Sequence, residues 1–141
     1  MNPNRDTLLA SLRERPRDAT ARDHETRALV QRAGTLEKAR EWLRVFEQFL
    51  PPGAEGSLRE VLQFALLGLC LGFVERDLSP FVAEHLAIVP PMLEDVQSVY
   101  NQADAQGFAV APEEFRFRAF DYGIHKAYYL DWTLYMSKEC Y

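Results

Sequence analysis

The residues best suited to proton transfer or metal binding are few and dispersed. The three histidines stand at His24, His85 and His125, and the two cysteines at Cys70 and Cys140. No two histidines are four apart and neither cysteine has a CxxC partner, so no metal site is expected. Cys70 lies between Leu69 and Leu71, an apolar setting that keeps a thiol protonated and inert. Glu94-Asp95 reads as a solvated pair. Asp121 and His125 form the one arrangement that could act as an acid–base pair, placed across a predicted turn. No glycine-rich phosphate loop is present, and no cofactor is expected. The reading is of a protein without catalysis of its own.

If chemistry is sparse, charge is not. The chain has 141 residues and a formal net charge of -5, unevenly spread. Residues 1–50 hold 10 Lys+Arg against 8 Asp+Glu, a balance of +2, and residues 51–141 hold 6 against 13, a balance of -7. Residues 75–114 contain eight acids and the single base Arg76, also -7. Such a field repels nucleic acid and steers a basic protein partner into contact. The last twenty positions add Tyr122, Tyr128, Tyr129, Trp132, Tyr135 and Tyr141. Tyrosine and tryptophan are the usual anchors of protein interfaces. The expected partner-binding residues are therefore Asp77, Glu84, Glu94 and Asp95, with Tyr128, Tyr129 and Trp132 as anchors.

The elements that must carry these residues are mainly helical. From Ser57 to Val74 no polar side chain follows Gln63 until Glu75. A helix apolar on every side is buried on every side. Val61 to Val74 is about 14 residues, short of the roughly 20 that span a bilayer, so no membrane partner is expected. Ser57 and Glu60 have the spacing of a capping box. Gly68 and Gly72 share one helix face, a flat patch for a close neighbour. Before this helix, Leu36, Ala39, Leu43, Phe46 and Leu50 step 3, 4, 3, 4 along an amphipathic helix that Pro51-Pro52-Gly53 ends. That short loop predicts an antiparallel return. After it, Ser79-Pro80 starts a helix that Pro90-Pro91 is expected to break, and Met92, Val96, Val99 and Ala103 form another that Gly107 stops. A short helix over 5–15 and one starting near Asp18 precede them all.

From Phe115 to Met136, apolar and polar residues alternate in two runs, at Phe115–Ala119 and Tyr128–Met136, which is a strand signal. Pro112-Glu113-Glu114 is equally a helix start. The overall reading is a single mainly α domain, 1–141. It comprises an N-terminal helix (1–16), a bundle (18–107) around the buried helix 57–75, and an aromatic β-hairpin over 113–137; an all-α ending is the alternative. The first residues lack an apolar leader segment, so no secretory signal is expected. A buried thiol and one near the C-terminus fit a reducing, cytoplasmic compartment.

Along Leu36-Glu37-Lys38, Trp42-Leu43-Arg44, Leu67-Gly68, Gly72-Phe73-Val74-Glu75-Arg76-Asp77, Pro80-Phe81-Val82 and Leu86 the chain resembles a known family. These are the small helical immunity proteins that protect bacteria from type VI secretion NAD(P) glycohydrolase toxins. The resemblance covers about Leu36–Tyr100. It implies a stoichiometric inhibitor that binds a basic effector or toxin protein and covers its active site. A secretion chaperone for an effector, dimeric and using an exposed hairpin edge, is the alternative; the sequence leaves monomer and dimer open.

Overall fold

The computed structural model describes residues 5–13, 35–76, 82–105 and 112–139. They form α1 (Arg5–Arg13), α2 (Thr35–Phe46) with a 3₁₀ turn (Glu47–Phe49), α3 (Gly56–Glu75), α4 (Val82–Ala105) and α5 (Pro112–Glu139). No strand occurs among the described residues. The predicted helix from Asp18, the Ser79 cap and the Gly107 stop lie outside them.

The bundle is built around α3. Val61, Leu62, Ala65, Leu66, Leu69, Cys70, Leu71 and Phe73 are all buried, as a helix without a polar face requires. At 20 residues α3 is long enough to cross a membrane, longer than its apolar run implied. In this structure over half of its most apolar window is buried inside the protein, which makes it the core helix. The expected capping box does not form. α3 begins at Gly56, whose φ of 59° is a left-handed entry that glycine tolerates. Glu55 stands at the N-cap with no side-chain cap bond. The Ser57 hydroxyl is instead 2.6 Å from the phenol of Tyr100 on α4, either of the two donating.

On one side, α2 packs against α3, but not as the antiparallel return its loop predicts. Phe46, at the end of α2, lies against Phe73 near the end of α3 rather than near its start, so residues 47–55 run back along α3. Ala39, Phe46 and Leu50 are buried, Trp42 and Leu43 half-buried, and Phe46 meets Phe73 edge-on at 5.7 Å. Edge-to-face contact is the favoured aromatic geometry. The wet face carries Glu37, Lys38, Arg40, Glu41 and Arg44, all exposed.

On the opposite side, α5 packs against α3 with almost no side chain between them. A Cβ on Gly68 would stand 2.0 Å from the Phe120 carbonyl oxygen, and one on Gly123 would stand 2.2 Å from that of Ala65. A Cβ on Gly72 would stand 2.5 Å from that of Ala127. Contacts run in the same order along both helices, from Glu60–Arg116 through Gly68–Phe120 to Arg76–Tyr128, so α3 and α5 are parallel. α4 makes the crossover and runs antiparallel to both, with Tyr100 beside Ser57 and Phe115.

Two expectations about breaks are corrected. The hairpin over 113–137 is a single helix, α5. Pro112 occupies the first position, where its missing N–H is no loss, and Glu113 and Glu114 complement the positive helix start. Ala119, Gly123 and Ala127, four apart, form the stripe that meets α3, and this packing decides over local alternation. Nor do Pro90 and Pro91 break α4. They deprive the carbonyls of Leu86 and Ala87 of donors, but Ala87, Pro90 and Pro91 are exposed, where water can serve. Val89, Met92, Leu93, Val96, Val99 and Ala103 continue one buried stripe past the two prolines, and its burial offsets the proline penalty.

Gly68→Ala is expected to destabilise the protein by about 2 kcal/mol, because backbone rather than a flexible side chain blocks the new methyl. Gly53→Ala, with nothing within 4 Å, should be near neutral. Urea midpoints of the two variants check the contrast.

Candidate functional site

The polar groups with the most unusual surroundings lie on α5 and the adjoining side of α4. Glu114, Arg118, Tyr122 and Lys126 are spaced four apart on α5, which stacks them along one helix face. Arg118 is 2 % exposed, and its Nε donates to Glu114 Oε1 at 2.7 Å. A guanidinium does not lose its proton, so burial demands such a partner. Tyr122 is 4 % exposed and its hydroxyl has no hydrogen-bond partner. Burial, with the charge of Asp95 on α4 in second place, pushes this phenol well above its ordinary range. Lys126 is half-buried; desolvation lowers its pKa and Asp95 opposes that shift. Asp95 therefore lies within electrostatic reach of both. Further along α4, Gln102 Oε1 is also buried without a partner.

Asp121 and His125 are brought together, but by one helical turn of α5 rather than across a hairpin. His125 Nδ1 is 2.8 Å from the Asp121 backbone carbonyl and 3.6 Å from its Oδ1. A carbonyl only accepts, so Nδ1 carries the proton in this bond. The imidazole is exposed while Asp121 is buried. Cys70 is fully buried and free, its thiol pushed up by desolvation and then by Glu47, as an inert core thiol would be.

Of the expected partner-binding residues, Glu94 is exposed on α4 and Asp95 beside it is half-buried, turned towards the Tyr122 and Lys126 side. Tyr128 is half-buried on α5, with the Arg76 guanidinium 4.2 Å from its ring centre. Asp77 lies outside the described residues. Glu84 is on α4, and Tyr129 and Trp132 are on α5, but their side chains also lie outside the description. Among the described side chains, the structure joins Asp95 to α5 and Tyr128 to the end of α3, and leaves Glu94 exposed on α4. The Glu114–Arg118–Tyr122–Lys126 ladder escaped sequence reasoning. Its signal was a polar residue at every fourth position, masked by reading the same stretch with a period of two.

Among the described residues, five helices with a polar seam between α4 and α5, and a glycine-lined contact between α3 and α5, define a mainly α domain. Its core unit matches a family model over residues 52–137, and the chain belongs to that family, described as domain of unknown function DUF8786. No curated protein and no solved structure matches the chain.

Two outcomes are expected from this seam. Tyr122→Phe, which removes an unsatisfied buried hydroxyl, should stabilise the protein by about 1 kcal/mol. Raised folded-state values for Cys70 and Tyr122 also set an alkaline limit. Each contribution is fully present below the unfolded value, 9.0 for the thiol and 10.0 for the phenol. It is lost as pH rises towards the folded value. Urea midpoints should therefore fall above pH 9, and fall less steeply in Cys70→Ala.

Proposed function

We propose that this protein is an immunity-type inhibitor: a small cytoplasmic bacterial protein, without catalysis of its own, that binds a basic effector or toxin and covers its active site. The observation that carries this reading is the balance of -7 over residues 75–114, with Glu94 and Glu113 exposed to solvent while the helices that carry them bury their apolar faces inward. A field of that sign raises the encounter rate with a positively charged cleft. The likeness of Leu36–Tyr100 to immunity proteins of type VI secretion toxins supports the same reading. Asp77, Glu84, Glu94 and Asp95 would supply the steering charge. Tyr128, Tyr129 and Trp132 would supply the anchors, and a partner that used the face of Tyr128 would first displace Arg76. The chaperone alternative relied on an exposed strand edge, and α5 offers a helix in that place.

The test is recovery of a basic protein, beginning with the product of the neighbouring gene, on the immobilised full chain, together with protection of cells that express that product. Glu94→Lys should slow association about threefold at low salt, and the difference should vanish near 0.5 M salt. Failure to recover a basic partner together with failure to protect would overturn the reading.

A further inference from the structure

The family match begins at residue 52, within the Pro51-Pro52-Gly53 turn that joins α2 to α3. The shared unit is therefore α3–α5, and α2 stands outside it. Yet α2 covers a large apolar face of that unit. At about 100° per residue, Leu66, Cys70 and Phe73 lie on the side of α3 opposite Gly68 and Gly72, which α5 occupies. All three are buried. Phe46 of α2 seals Phe73 edge-on, and Glu47, in the turn that continues α2, bears on the Cys70 thiol. The α3–α5 unit taken by itself leaves this face open to water.

We infer that this face of α3 is a helix-docking groove, filled in this chain by its own α2 acting as a detachable strap hinged at Pro51–Gly53. The features of α2 agree with a docked rather than an interwoven element. One side supplies the apolar row Ala39, Phe46 and Leu50, with Trp42 and Leu43 beside it. The other side carries the exposed charges Glu37, Lys38, Arg40, Glu41 and Arg44, with Val45 the one exposed apolar residue among them. Its contact with α3 is made through side chains, whereas α3 and α5 meet at the backbone. A helix held in that way opens at lower free energy than the pair beneath it. The groove fits an amphipathic helix with apolar residues stepping 3 and 4, the pattern α2 itself carries.

Cys70 sits beneath the strap and reports its opening. In the full chain carrying Cys140→Ser, Cys70 modification by a disulfide reagent is followed over a range of urea below the unfolding transition. The expected result is a rate whose urea dependence is less than about half that of global unfolding, because only a helix departs. Phe46→Ala should raise the rate in buffer more than about tenfold. Where Phe46→Ala does not fold, Leu43→Ala, truncating a half-buried contact, is expected to raise it severalfold. Modification with the full urea dependence of global unfolding would overturn the inference. So would a rate unchanged by a folded strap variant.

Discussion

The rest of this structure depends on the distance between two helix backbones. α3 and α5 approach until carbonyl oxygens of each occupy the space where side chains would otherwise stand. Only glycine at 68, 72 and 123, with alanine at 65, 119 and 127, permits this. Glycine in a helix interior is unfavourable by roughly 1 kcal/mol against alanine, so each of these positions is compensated by contact with the neighbour. Close approach also fixes the register. Once Gly68 is under Phe120, the ion pair of Arg116 with Glu60 and the stacking of Arg76 on Tyr128 follow at either end. The crossover path of α4 is then dictated, since parallel neighbours need an antiparallel connection between them.

That register also explains the polar seam. With Ala119, Gly123 and Ala127 committed to α3, the next stripe of α5 turns to α4, and it carries Glu114, Arg118, Tyr122 and Lys126. A charge in so dry a place is tolerable only when paired, which Glu114 does for Arg118. The phenol of Tyr122 is buried in the same seam without a hydrogen bond, and Lys126 is half-buried one turn further on. Asp95 acts on both in the same sense, disfavouring a phenolate and favouring an ammonium, so that each group holds its proton more tightly.

Much of this architecture was legible from residue order. The buried run of α3 and the 3-and-4 stepping of α2 are local patterns, and they read correctly. So did Gly68 and Gly72 as a flat patch for a neighbour. The antiparallel return after Pro51-Pro52-Gly53 did not, because Phe46 seats against Phe73 at the far end of α3. What failed was wherever a distant contact outranked a local rule. Ser57 has the spacing of a cap, but Tyr100, far along the chain, takes its hydroxyl. Pro90-Pro91 reads as a break, but the buried stripe on either side carries the helix through. The alternation from Phe115 reads as a strand, yet the glycine face of α3 selects the helical stripe hidden within it. Charge was legible as a total, but not its grouping. Asp95 faces inward and Glu94 outward although they are adjacent, because neighbouring helical residues point about 100° apart.

The parallel pairing of α3 with α5 has a consequence for synthesis. The most water-averse segment of the chain emerges from the ribosome early, but the surface that fits it is encoded some fifty residues later, beyond an entire intervening helix. Until Gly123 and Ala127 have left the exit tunnel, that flank of α3 has no native cover. The nascent polypeptide thus passes through a stage in which it is exposed to promiscuous association. The opposite flank differs, since its cover, α2, precedes α3 in the chain and is already made when α3 emerges.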